Sequence, residues 1–352
     1  MKKFVCFKFC LLALLLIFAL TFVVACGGDA ENAEQNADDG PGEIGVKTIK
    51  FSVGENEQHF LYDAAVAFKE HIEKETNGSI MVEIYPGGSL GNDREVLEAM
   101  QLGQIEMNAP SPAVLANFSK EFNLLTFPFI FPTQEIAEKV TTGPVGQELL
   151  SRLQQQGFVG LSIPNFGYRH VTNNKRPINS VDDLKDLKIR TMESKVHLDA
   201  FRALGANPTA MGWSDVFTGL QQGTIDGQEN PLATIYTYKV YEVQDYISKT
   251  AHVYDWTVFV ISNIFWDTLD SEQQNVIREA AEIARQVCSS RVAEEDALAE
   301  ENIIKEGVPV NDLTDEARQE MSDIIEPVRL KYAEEADMDL YKRLMEEVKK
   351  AQ

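Results

Sequence analysis

From residue 270 to about residue 305 the chain runs for about 36 residues in a helical pattern with hardly a breaker. As an α-helix this stretch is roughly 54 Å long, too long for one small domain and long enough to brace two. The segments before it alternate in character. Residues 47–53 alternate like a strand. Residues 60–76 place Leu61, Ala64, Ala65, Phe68 and Ile72 at helical spacing and stop at Asn77-Gly78. A second strand at 80–85 ends at Pro86-Gly87-Gly88, and Asn92 or Asp93 caps a helix that runs to about Gly103. A short strand at 105–108, helices at 134–142 and 145–156, and a strand at 158–164 follow. The alternation continues with strands at 187–191, 207–211, 224–228 and 257–263, and helices at 194–204, 213–222, 314–336 and 340–349. Such alternation predicts α/β layers around mostly parallel sheets. A composition shift near Asn165 and a second strand set from Leu187 mark a second domain.

The front of the chain predicts export. Lys2, Lys3 and Lys8 precede an apolar run of about 16 residues from Phe9 to Val24. That is roughly 24 Å as a helix, short for a hydrocarbon core of about 30 Å. The run ends in Val23-Val24-Ala25-Cys26-Gly27, which resembles a bacterial lipobox. The resemblance implies a signal peptide at 1–25, cut before Cys26, and a diacylglyceryl group on the Cys26 thiol; two acyl chains suffice for stable anchoring. Residues 26–46 carry six acidic side chains and no basic one, and read as a disordered tether.

The remaining 300 or so residues suffice for two domains of ordinary size. Acidic residues outnumber basic ones 55 to 32, for a formal net charge of −23. That argues against a nucleic-acid partner and against adhesion of the protein surface to an anionic bilayer. An anionic ligand is still allowed, because a local arginine dominates its own pocket. Cys288 is the only cysteine outside the signal and the lipobox, and it falls in the long helical pattern as a small buried residue. The five histidines are scattered, with no metal-ligand spacing, and no cofactor fingerprint is present.

The segment Ala210-Met211-Gly212-Trp213-Ser214-Asp215-Val216-Phe217, continued by Gln221-Gln222-Gly223-Thr224-Ile225-Asp226-Gly227-Gln228-Glu229-Asn230-Pro231-Leu232, resembles the solute-binding subunits of TRAP (tripartite ATP-independent periplasmic) transporters. So do Pro86-Gly87-Gly88-Ser89-Leu90-Gly91, Arg94-Glu95-Val96-Leu97-Glu98, Arg169 with Thr172-Asn173 and Arg176-Pro177-Ile178, and Leu184 through Arg190. The resemblance covers about residues 47–350 in the family's order. It implies a two-domain, periplasmic-binding-protein-like α/β clamp with a long helix spanning both domains, closing on its ligand by a hinge. The expected partition is 47–166 with 255–295, and 167–254 with 296–352.

In this family the position of Arg190 binds the ligand carboxylate, and a planar guanidinium suits a bidentate grip; without the motif, Arg190 would read as a strand-end arginine in a surface ion pair. Arg169 holds the family's second arginine position, either touching the same carboxylate or an adjacent hydroxyl, or bracing the hinge through an ion pair. Asn230 lies at a strand end before Pro231, which favours extended backbone there; it either contacts the ligand or satisfies its own turn. Glu95 either reaches ligand hydroxyls or complements a helix N-terminus. His59, just after a strand, resembles the family's loop position facing the cleft, and Trp213 is either an apolar wall against a sugar ring or a core tryptophan. Phe166, Tyr254 and Trp256 are weaker wall candidates, and Glu229 reads as structural.

Paired arginines with neutral hydrogen-bonding groups suit a polyhydroxylated monocarboxylate, a uronate or aldonate-like sugar acid, ahead of a C4-dicarboxylate or a 2-oxo acid. The resemblance implies delivery to a small and a large membrane subunit. The rivals are a binding subunit of an ATP-driven importer or a sensor, and an exported sugar-acid enzyme. The motif positions are arginine and asparagine, which suit holding an anion rather than acid–base chemistry.

Overall fold

A computed structural model describes residues 45–352. The expected signal peptide, Cys26 and nearly all of the tether lie outside them. Among the described residues are eleven strands: β1 (Lys47–Ser52), β2 (Ile80–Tyr85), β3 (Met107–Asn108), β4 (Phe158–Ser162), β5 (Asn165–Asn173), β6 (Arg190–Thr191), β7 (Thr209–Ala210), β8 (Gly227–Asn230), β9 (Tyr246–Trp256), β10 (Phe259–Ser262) and β11 (Val310–Asp312). They form a five-stranded sheet in the order β2-β1-β3-β10-β4, a four-stranded sheet in the order β11-β9-β5-β8, and a small β6-β7 pair.

The five-stranded sheet is buried on both faces. Along β10, Val260 enters one core with Leu97, Met100, Val140, Leu149 and Phe158. Its neighbours Phe259 and Ile261 enter the other, with Ile49, Phe51, Ile80 and the helix Phe60–Glu75. This is the two-residue alternation of a strand. The four-stranded sheet is covered in the same way: Val171 joins Ile178, Phe201 and Met321, while Ile247 joins Val216, Leu220 and Ile235.

The long helix is present at Ser271–Lys305, opened by a capping box in which Asp270 accepts from the Gln273 amide. Ile277, Ala280, Ala281, Ala284, Cys288 and Val292 pack into the first lobe, and Ala299 and Ile303 into the second. Near the crossing, Asp296 accepts a hydrogen bond from the Ala233 amide at 2.9 Å. A second helix, Asp315–Ala336, also bridges: Ala317, Met321 and Ile325 belong to the second lobe, Tyr332 and Ala333 to the first. Pro327 sits between these sets, so the helix lacks one internal hydrogen bond where it changes core.

Three expectations are corrected. The sheets are mixed rather than mostly parallel: β10 runs antiparallel to β3 and β4, and β5 antiparallel to β8 and β9. The expected partition placed 296–352 wholly in the second domain, but Leu340, Leu344 and Val348 of the helix Met338–Ala351 pack with Ile136 and Val140 of the first. The two longest strands, β5 and β9, were not anticipated. They run from the first lobe, where Phe166 and Trp256 pack, to the second, where Val171 and Ile247 pack. Both are buried nearly throughout, carry Arg169, His170, Thr172, His252 and Asp255, and pair with register shifts at Asn165/Gly167 and Arg169/Val171. Buried polar residues and bulges erase the alternation by which a strand is recognised.

Candidate ligand-binding site

Where β5 and β9 cross between the lobes, they floor a cleft of about 840 Å³, solvent-connected space included. Its walls come from Gly54-Glu55 after β1, the Gly87-Gly88 turn, Gly91 to Asp93 before a helix, Ser111, Arg190 to Glu193 around β6, Met211 to Ser214 after β7, and Asn230 at the end of β8. Side chains tie the rims together. Asn92 donates to the Ser214 hydroxyl at 3.1 Å and accepts from its amide at 3.3 Å. Asn117 donates to the Glu193 carbonyl at 2.7 Å, and the Tyr238 hydroxyl to the Gly54 carbonyl at 2.8 Å.

Arg190 begins β6 and is only 3% exposed. Its Nε and Nη2 donate to the Met211 carbonyl at 2.9 and 2.7 Å, and its guanidinium carbon lies 5.6 Å from the centre of the Trp213 ring. Among the described residues no carboxylate pairs with it. Burial lowers its pKa to about 10, which leaves it charged at neutral pH. Of the five N–H groups of a guanidinium, the two on Nη1 and one on Nη2 have no acceptor among the described residues.

Arg169, on β5, is equally buried but fully engaged. Its Nε donates to Glu229 Oε2 at 2.5 Å, Nη2 to Glu229 Oε1 and to the Glu229 carbonyl, and Nη1 to Asp255 Oδ2 at 2.7 Å. Burial opposes ionisation of Glu229, but Arg169 and His252 outweigh it and hold its carboxyl well below the usual range. One N–H on Nη1 is left over. The bracing ion pair is therefore formed, and the side chain still lines the cleft.

Asn230 is 5% exposed, and its Nδ2 donates to Gln228 Oε1 at 2.6 Å. Gln228 in turn donates to Thr172 Oγ1 and Thr172 to Gln244. The chain fixes the Asn230 amide and leaves its Oδ1 and one N–H without a partner among the described residues. Trp213 opens the helix Trp213–Gln221 and flanks Arg190; its buried Nε1 has no partner. Phe166 and Trp256 also line the cleft.

Two expected residues lie outside the lining. Glu95 is exposed at the third position of the helix Asp93–Gln101, where its Oε2 accepts from the Asn92 amide at 2.9 Å. That capping geometry turns it back over the helix end, and Asp93 faces the cleft instead. His59 caps the helix Phe60–Glu75: its Nδ1 accepts from the Leu61 amide, its Nε2 meets Thr234 Oγ1 at 3.3 Å, and its ring stacks on Phe166. Burial lowers its pKa to about 3, so it is neutral and buttresses the Phe166 wall from behind. Tyr254 is buried in the first-lobe core.

Sequence reasoning missed four carboxyls that line the cleft: Glu55, Asp93, Glu193 and Asp255. Asp255 sits on an unanticipated strand. Asp93 was noticed only as a cap. Glu55 carried no signal beyond its place in a Gly-Glu step after a strand.

Residues 51–335 match the family described as bacterial extracellular solute-binding protein, family 7. The chain belongs to this family. It is an extracytoplasmic class of binding proteins, not enzymes. The C4-dicarboxylate-binding periplasmic protein DctP of Vibrio cholerae is 34% identical over 88% of this chain and 92% of its own. The 2,3-diketo-L-gulonate-binding periplasmic protein YiaO of Escherichia coli is 32% identical over 80% of this chain and 85% of its own. Among solved structures, the sugar acid binding protein DctPAm of Advenella mimigardefordensis, in complex with galactonate, superposes with a TM-score of 0.85. It is 30% identical and covers 88% of this chain and 100% of its own. The family 7 chain is thus a TRAP-type solute-binding protein with the expected two-lobed fold. No helix of the described residues is long and apolar enough to cross a membrane.

Proposed function

We propose that this protein captures a polyhydroxylated monocarboxylate, a uronate or aldonate-like sugar acid, and delivers it to the small and large membrane subunits of a TRAP transporter. The observation that carries this reading is Arg190: a buried cation with no ion pair among the described residues, held by Met211 and Trp213 with three N–H groups unspent. An uncompensated buried charge is costly, and a ligand carboxylate supplies the missing partner. Asn230 and the remaining N–H of Arg169 then meet ligand oxygens, and Trp213 forms a wall beside the bound chain.

In this reading the diacylglyceryl group on Cys26 tethers the protein to the outer face of the cell membrane. Metabolic labelling with a fatty acid, on the wild type and on Cys26→Ser, tests the anchor; label retained in the variant rules it out. The ligand class is tested by thermal-shift screening against aldonates, uronates, C4-dicarboxylates and neutral sugars. A sugar acid raises the melting temperature through linkage, and Arg190→Met abolishes the rise. Stabilisation by neutral sugars alone overturns the reading. Stabilisation by succinate with none by sugar acids replaces it with the function named for the Vibrio relative.

A further inference from the structure

Glu55 follows the first strand of the sheet and is 8% exposed. Its Oε2 is fully buried without a hydrogen-bond partner, and no protein donor meets its Oε1 among the described residues. It lines the same cleft as Arg190, on the wall formed with Asp93 and Asp255. A buried carboxyl that accepts nothing from its own protein is either a costly orphan or half of a contact whose other half is a guest.

The groups around Glu55 decide which form it takes. Asp93 faces it from the N-terminus of the Asp93–Gln101 helix, Asp255 from β9, and Arg169 from β5. Arg169 is already engaged by Glu229 and Asp255. Tyr238 is close and donates its hydroxyl to the Gly54 carbonyl, not to the Glu55 side chain. Burial first, then Asp93, pushes the Glu55 carboxyl up to about 8, so at neutral pH it holds its proton. Asp93, half-buried, is pushed up to about 6 but accepts from the Ser111 amide and is ionised at neutral pH. Around Glu55 the cleft wall therefore offers one O–H donor beside acidic neighbours and, among the described residues, no free cation.

We infer that Glu55 is a specificity-determining residue: its protonated carboxyl donates to a ligand hydroxyl oxygen, while its acidic neighbours Asp93 and Asp255 disfavour a second carboxylate beside it. This rests on Arg190 as the carboxylate anchor. The same wall separates a sugar acid from a C4-dicarboxylate, whose far end needs a cation that this wall lacks. Ionisation of Glu55 replaces the donor with a negative charge, so binding weakens as pH rises through its folded pKa.

The test is isothermal titration of the full-length protein with D-galactonate, D-galacturonate and succinate at pH 7 and pH 9, on the wild type and Glu55→Gln. Arg190 stays charged across this window. In the wild type the Kd of the tighter sugar acid rises about tenfold from pH 7 to pH 9, as expected for loss of one proton near pH 8. In Glu55→Gln, whose amide donates at every pH, the rise shrinks to less than about twofold. Succinate binds the wild type at least about tenfold more weakly than the sugar acid at pH 7. A wild-type affinity flat between the two pH values overturns the inference and leaves the Arg190 reading intact; this arm needs no variant to fold. A variant that keeps the wild-type pH profile does the same. A wild type that binds succinate and neither sugar acid overturns both.

Discussion

Two arginines twenty-one residues apart enter one cleft at nearly equal depth, 1% and 3% exposed, and their surroundings are opposite. Arg169 donates four of its five N–H groups to Glu229 and Asp255. Arg190 donates only to one carbonyl and leans on an indole. The first is complete without a guest, and its charge is neutralised across the crossing of β5 and β9. The second is incomplete, and among the described residues it is the one positive charge of the cleft lining outside an ion pair. Burial alone does not separate the two arginines. The count of satisfied donors does.

The comparison breaks most visibly at Arg169. Replacing it with Met leaves Glu229 and Asp255 as unpaired buried charges, and stability falls by about 3–5 kcal/mol. Urea unfolding measures this with no ligand present; a loss under about 1 kcal/mol would mean that the ion pair is dispensable. Arg190→Met behaves in the opposite way. Ligand-free stability stays within about 1 kcal/mol, because the lost bonds to Met211 are set against relief of a desolvated cation. Sugar-acid affinity falls at least about a hundredfold, the cost of leaving a carboxylate without its charged partner. A variant that binds normally removes Arg190 from the site.

A smaller effect comes from the brace that joins the two lobes. Asp296 lies in the last third of the long helix, where it accepts from Ala233 and sits close under Gly167, whose φ of +111° only glycine adopts easily. Burial pushes its pKa up to about 7. The folded chain therefore holds a proton that the unfolded chain has shed above about pH 4. The stability contributed by that proton is full below about pH 4 and is lost as pH rises through 7. Asp296→Asn keeps the acceptor and removes the titration. The variant gains about 2–3 kcal/mol on the wild type between pH 5 and pH 8; parallel denaturation midpoints across that range would show Asp296 to be ionised throughout.

The sequence exposed the fold unevenly. Helices with an amphipathic face and a cap were legible, and the Gln134–Thr142 helix and the Ile80–Tyr85 strand fall where periodicity puts them. The long helix was legible because 35 residues pass without glycine or proline. The strands that build the site were not, because β5 and β9 are buried on both faces and interrupted by charge. Arg190, Arg169, Asn230 and Trp213 were found through a motif and all line the cleft. Glu55, Asp93 and Asp255 converge from three separate segments, and nothing local in the chain records that they meet.

Glu95 and Asp93 are two residues apart on one helix turn, and the turn sends them to different tasks. Asp93 points inward, accepting from the Ser111 amide at 3.1 Å within the cleft wall. Glu95 points back across the helix end to the Asn92 amide and packs against Gly91. Glu95→Ala therefore removes one half of a capping box and costs about 0.5–2 kcal/mol of stability. Its effect on sugar-acid affinity stays below about threefold, reaching the cleft only through the Asn92 side chain that ties Ser214 across the rim. Titration of the variant with D-galactonate, set beside its urea midpoint, separates the two roles. A loss of affinity tenfold or greater with an unchanged midpoint would make Glu95 a ligand contact and reverse its assignment as a cap.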